Sequence, residues 1–176
     1  MKRTTLKRYS IVLSFMLVLS LFGTVSPANP AKEAKAADYG LSNPRVSGDG
    51  VTTWDCIYFG NYWQYDINGD GKADKNDTKQ FIKWRVLSVD GDDAFLLADK
   101  NLDSQRYNEK WASVTWETCP LRQWLNSDFY ENAFDSSEQI AVLTTTVVNE
   151  NNPEYKTKGG NNTSDKVFLL SIGEAR

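Results

Sequence analysis

Apolar and polar residues alternate from Ile82 to Val89 (Ile-Lys-Trp-Arg-Val-Leu-Ser-Val), the period of a strand with one face on a core. Asp90-Gly91-Asp92-Asp93 follows, and Asp-Gly between apolar runs is a hairpin signal. Ala94-Phe95-Leu96-Leu97-Ala98 returns as an unbroken apolar run, which predicts a strand covered on both faces. Upstream, Trp54 to Gly60 reads as a further strand, and Asn61-Tyr62-Trp63-Gln64 continues it or turns from it. These pieces predict an antiparallel meander with Trp84 in its core.

The period then changes. Leu121, Trp124 and Leu125 stand at i, i+3 and i+4, an apolar helical face, with Pro120 tolerable in the first turn. Phe129, Tyr130, Ala133 and Phe134 repeat the spacing and predict a second short helix. Ser136 and Gln139 have capping-box spacing ahead of Ile140, Ala141 and Leu143. Thr144 to Val148 is β-branched and predicts a strand. Asn149 to Asp165 reads as a long polar loop, and Val167 to Leu170 as a buried strand. Ser171 and Glu174 have the spacing of another helix start, close to the last residue. That pattern predicts a fragment of a longer protein; the alternative is a frayed natural end. The fold class expected is α+β: a small antiparallel sheet with two or three short helices, incomplete at its C-terminus.

The first residues do not fit a folded domain. Lys2, Arg3, Lys7 and Arg8 precede the apolar run Ile11 to Gly23, and Ala34-Lys35-Ala36 forms a small-x-small site before Ala37. Basic, apolar, then small residues is the pattern of a secretory signal, and the run is short for a membrane span. An uncleaved anchor is the alternative. The expected organisation is a signal peptide over 1–36, a Gly-, Ser-, Asn- and Pro-rich leader over 37–52, and one domain over 53–176. The product should be secreted or held at the cell surface, with no membrane segment after cleavage. Removal of the signal leaves 14 basic against 22 acidic residues, a net charge of −8. Such a charge repels phosphate backbones, so nucleic acid is not an expected partner.

One motif carries chemistry. In the twelve residues from Asp66 to Asp77, oxygen-bearing side chains fall at positions 1, 3, 5, 9 and 12 (Asp66, Asn68, Asp70, Asp74, Asp77), with Gly71 at position 6. Lys72, at position 7, can contribute only its backbone carbonyl. Calcium takes six to eight oxygen ligands, and glycine permits the sharp turn between them. Asp77 stands where Glu is usual. The loop resembles those of dockerin repeats, which also end in Asp. Dockerins carry two copies, each followed by a helix; here one copy precedes the strand-like Phe81-Ile82-Lys83-Trp84, so a cohesin-binding role does not carry over. The expectation is a structural calcium loop inserted at 66–77; the alternative is a polar hairpin loop without metal.

Other chemistry is sparse. The chain has no histidine, which removes Ser-His-Asp and Cys-His catalysis and most zinc sites. No carboxylate pair is marked out by spacing; Glu117, Asp128 and Glu138 read as helix-terminal or surface charges. Cys56 and Cys119 can form a disulfide in an exported protein or act as small buried hydrophobes. Tyr62, Trp63 and Trp111 lie beside polar turns and are the candidates for a ligand-binding face, by sugar stacking.

Phe59-Gly60-Asn61-Tyr62-Trp63-Gln64, Ile82-Lys83-Trp84-Arg85-Val86-Leu87 and Trp116-Glu117-Thr118-Cys119-Pro120-Leu121-Arg122-Gln123-Trp124-Leu125-Asn126 carry a resemblance. Thr145-Thr146-Val147-Val148-Asn149 and Val167-Phe168-Leu169-Leu170-Ser171 add to it. The chain resembles a family of uncharacterised domains in secreted and surface proteins of Gram-positive gut bacteria. The resemblance implies a fold distantly like the C-type-lectin-like one shared with formylglycine-generating enzymes, and strands beyond residue 176 that complete it. It implies no activity and no catalytic residues. The leading expectation is a noncatalytic surface module binding glycan or protein. The alternatives are an enzyme of the formylglycine-generating type, which needs reactive thiols, and a structural spacer.

Overall fold

The computed structural model describes the backbone of residues 15–19 and the whole of residues 39–175. The rest of the predicted signal, including its basic start and its cleavage site, lies outside the described residues. The molecule is α+β, with small antiparallel sheets and one main helical run.

The main sheet has five strands, in the order Cys56–Tyr62, Gln80–Asp90, Asp93–Ala98, Phe15–Leu19 and Val167–Leu169. They are β1 (Phe15–Leu19), β4 (Cys56–Tyr62), β5 (Gln80–Asp90), β6 (Asp93–Ala98) and β9 (Val167–Leu169). The β4, β5 and β6 meander is the one the alternation predicts, with β5 and β6 joined at Gly91. On β5, Ile82, Trp84 and Val86 are fully buried, and their polar neighbours face outward. On β6 the predicted two-sided burial is only partly realised. Ala94, Leu96 and Ala98 face the core, while Phe95 and Leu97 are half-buried on the other face. Two smaller pairs join β2 (Arg45–Val46) to β3 (Thr52–Thr53), and β7 (Thr145–Val147) to β8 (Thr163–Asp165). The end of the stretch read as loop is therefore a strand, and β7 supplies its ladder partners.

The two helices predicted around Leu121 and Phe129 are one run. α1 (Pro120–Trp124) passes through a π turn (Leu125–Phe129) into α2 (Tyr130–Ala133). The inward residues Leu121, Leu125, Phe129 and Ala133 repeat every four positions. An α-helix turns every 3.6 residues, so a strict four-residue repeat drifts around its axis. One wider turn takes up the surplus and keeps all four side chains on the sheet. The next helix, α3 (Ser136–Ala141), is capped one residue earlier than its sequence suggests. Asp135 accepts N–H bonds from Ser137 and Glu138, and Glu138 closes the capping box.

The core lies between sheet and helices. Phe129 meets Phe134 edge-on at 6.1 Å, Trp84 stacks near Phe134 at 6.3 Å, and Tyr62 lies 4.9 Å from Phe129. Trp84 Nε1 donates to the Phe59 carbonyl at 2.7 Å, so its polar atom is satisfied inside. Full burial of one such side chain contributes about 1.5–3 kcal/mol. Gly60 is required at this junction. Its φ is +70°, and a Cβ there would stand 2.6 Å from the Phe134 ring and 2.7 Å from the Ala133 carbonyl oxygen.

Candidate functional site

The segment from Asp66 to Asp77 is an exposed loop between β4 and β5. Its oxygens bind its own backbone. Asp66 Oδ1 accepts from the N–H groups of Gly69 at 2.6 Å and Asp70 at 3.1 Å, and Oδ2 accepts from Gly71 at 2.7 Å. Asn68 Oδ1 accepts from Asp70 N–H, Asp70 Oδ1 from Lys72 N–H, and Asp74 Oδ1 from Asn76 N–H. Asp77 reaches back across the loop to Ile67 and Asn68 at 2.8 and 2.9 Å, and to Asp74 at 2.9 Å. These amides, those of Asp74 and Asn68 foremost, hold the Asp77 carboxyl below the usual carboxylate range. Gly71 sits at φ +92°, the left-handed conformation that position 6 requires.

The donor set fits a hard divalent cation in element type and spacing. Asp66 Oδ1 and Asp77 Oδ1 each accept from two amides, whereas Asp66 Oδ2, Asp70 Oδ1, Asp74 Oδ1 and Asp77 Oδ2 each accept from one and keep a second lone-pair direction. Among the described residues, no three His, Cys, Asp or Glu side chains form a group that could hold a metal ion.

A second region is concave. A groove of about 1100 Å³ is lined by residues of β6, β7, β9 and the loops around them. Tyr107, Trp116 and Phe168 give it aromatic surface, and Asn149, Asn151 and Asn152 give it amides. Its polar side is built by cross-bracing. Asn149 Nδ2 donates to the Asn161 carbonyl at 2.6 Å, and Asn151 Oδ1 accepts from Gly159 N–H at 3.2 Å. Asn161 in turn donates to Glu117, which holds that carboxyl below its ordinary value.

Behind the groove stands Asp165, 1% exposed. Its oxygens accept from Arg122 Nε at 2.6 Å, Trp116 Nε1 at 2.8 Å and Thr163 Oγ1 at 2.6 Å. Arg122 also donates to the Glu117 carbonyl. This pair, Asp165 buried and Arg122 half-buried, joins the helical run to β8 and fixes the indole of Trp116 against the groove. No spacing in the sequence marked it, because Trp116 and Arg122 lie more than 40 positions from Asp165.

The residues expected at a binding face do not share one. Tyr62 is 6% exposed; its ring packs on Phe129 and its hydroxyl donates to Asp103 at 2.8 Å. Burial first, then Asp103, raises its phenol well above the ordinary value. It is a core residue, because β4 alternation turns it inward. Trp63 is half-buried under the Lys79 ammonium, 4.6 Å from the ring centroid. Trp111 is 97% exposed on the loop before the helical run. The disulfide option is also not realised: Cys56 is free and exposed, Cys119 free and buried. Cys119 caps α1, its Sγ accepting from Arg122 N–H, and burial pushes its thiol up.

Residues 91–176 match a family described as a domain of unknown function (DUF6273). The groove and the Asp165 network lie inside that span; the loop at 66–77 lies before it. No curated protein and no solved structure matches the chain.

Proposed function

We propose that this is a noncatalytic extracellular module that binds glycan, with the loop at 66–77 as a structural calcium site. The observation that carries the reading is the groove. Rigidly braced aromatics beside planar amides suit a sugar, which offers apolar faces and hydroxyls together. Trp116 is pre-oriented by Asp165, so little ordering opposes binding there.

The basic and apolar start of the chain supports export, and the resemblance supports a surface protein of a Gram-positive bacterium with a C-type-lectin-like fold. Among the described residues no helix is long and apolar enough to cross a membrane. In calcium-containing surroundings, an ion bound by Asp66, Asn68, Asp70, Asp74, Asp77 and the Lys72 carbonyl would offset repulsion between four carboxylates and tighten the β4–β5 connection. The formylglycine-generating alternative draws no support from the thiols, because Cys119 is a buried cap.

A glycan array with the full chain tests the reading. Binding that weakens at least tenfold in Asn151→Ala supports it. Absence of binding, with folding shown by a cooperative melt, overturns it.

A further inference from the structure

Asn68-Gly69 is the one Asn-Gly step in the chain, and it lies in the exposed loop between β4 and β5. An asparagine carboxamide can close a succinimide ring with the backbone nitrogen of the next residue, because the two are tethered within reach. Glycine hinders that closure least, having no side chain beside the nitrogen. At Gly69 the space is open as well: nothing stands within 4 Å of where a side chain would begin.

The loop holds both reacting groups. Gly69 N–H donates to Asp66 Oδ1 at 2.6 Å, the reach of a base that takes a proton from a nucleophile. Asn68 Oδ1 accepts from Asp70 N–H at 2.8 Å, so a donor stands where negative charge gathers as the carboxamide is attacked. That N–H is shared with Asp66 Oδ1, 3.1 Å away.

We propose that Asn68 is a self-modification site, converted in the folded chain to aspartate and isoaspartate by attack of the Gly69 nitrogen.

Asp66 Oδ1 accepts the Gly69 amide proton as the nitrogen bonds to Asn68 Cγ. The Cγ–Nδ2 bond breaks, and Nδ2 leaves as ammonia with that proton. Solvent water then opens the ring. Cleavage of the new nitrogen–Cγ bond gives aspartate; cleavage between the nitrogen and the main-chain carbonyl carbon of Asn68 gives isoaspartate. Either way one water is consumed, one ammonia is released, and nothing is oxidised or reduced. Gly71 N–H also donates to Asp66, at 2.7 Å, but it follows Asp70, whose ionised carboxylate resists the same attack.

The products change the loop differently. Aspartate at position 68 raises its carboxylates from four to five and keeps an oxygen there. Isoaspartate adds a carbon to the main chain between Asn68 N–H and Asp77. The Asp77 bonds to the Ile67 and Asn68 amides, 2.8 and 2.9 Å, then lose their register. The conversion needs neither a bound cation nor the groove.

The test holds the full chain folded in chelator at neutral pH, beside the same chain unfolded in urea. Peptide mass spectrometry follows a gain of about one dalton at position 68, and enzymatic methylation counts the isoaspartate. The folded chain should convert at least about tenfold faster than the chain in urea. Asp66→Asn should remove that advantage in the folded chain and change nothing in urea, with a cooperative melt showing that the variant folds. Conversion of the folded parent at or below its rate in urea would overturn the proposal. So would a folded Asp66→Asn chain that converts as fast as the parent. If that variant does not fold, the ratio of folded to urea rates in the parent decides alone.

Discussion

Asp165 and the aspartates of the 66–77 loop are the same side chain in opposite circumstances. Asp165 is buried, and three side chains brought from positions 116, 122 and 163 satisfy it. Asp66 and Asp77 are bound almost wholly by amides within eleven residues of themselves. The first carboxylate is held by the fold and holds it in turn. The others shape one loop. A buried charge that loses its partner keeps its desolvation cost, whereas an exposed one regains water. Stability should therefore depend steeply on Asp165 and weakly on the loop, until a cation is added.

The largest expected effect is at the Asp165–Arg122 pair. Arg122→Met should cost about 3–5 kcal/mol in urea unfolding, because Asp165 then stays buried without its guanidinium. A cost comparable to that of Asp66→Ala would erase the distinction between the two regions.

Glycines sharpen it next. Gly60→Ala should cost about 1–3 kcal/mol by overpacking Phe134 and the Ala133 carbonyl, on top of an unfavourable φ. Gly71→Ala meets no atom within 4 Å and should cost about 1 kcal/mol through φ alone. Thermal melts of both variants, without calcium, read the difference.

In chelator, Asp66→Ala should change stability by less than about 1 kcal/mol. Calcium should raise the melting temperature of the parent and leave that of Asp66→Ala unmoved. Identical melts of the parent in calcium and in chelator would remove the calcium reading.

The smallest effect is titration. The Asp77 carboxyl is depressed in the folded chain, so its contribution is present above the ordinary carboxylate value. It should disappear as pH falls below about 4 and through the lower folded value. Carboxyl chemical shifts followed against pH should show Asp77 titrating at lower pH than a free aspartate; a midpoint at the ordinary value would contradict the amide network.

Much of this was legible in residue order, for a common reason. The β4–β5–β6 meander, the burial of Trp84, the apolar helical face and the twelve-residue loop depend on neighbours a few positions apart. Strand alternation and helical spacing encode such features directly. Even there, the chain read locally misplaced detail. Two helices became one, because the fourfold repeat of Leu121, Leu125, Phe129 and Ala133 could be reconciled only by a π turn against the sheet. The cap moved from Ser136 to Asp135, since both can accept the same kind of bond and geometry chose.

What tertiary structure alone decided involves partners far apart in the chain. Tyr62 looked like a surface aromatic and became core when Phe129 and Asp103 closed on it. Cys56 and Cys119 had the composition for a bridge, and the fold left one outside and the other capping a helix. Asp165 and the groove have no local signature. Each exists only where segments 40 or more residues apart meet, and a pattern with a period of two or four residues cannot record such a meeting.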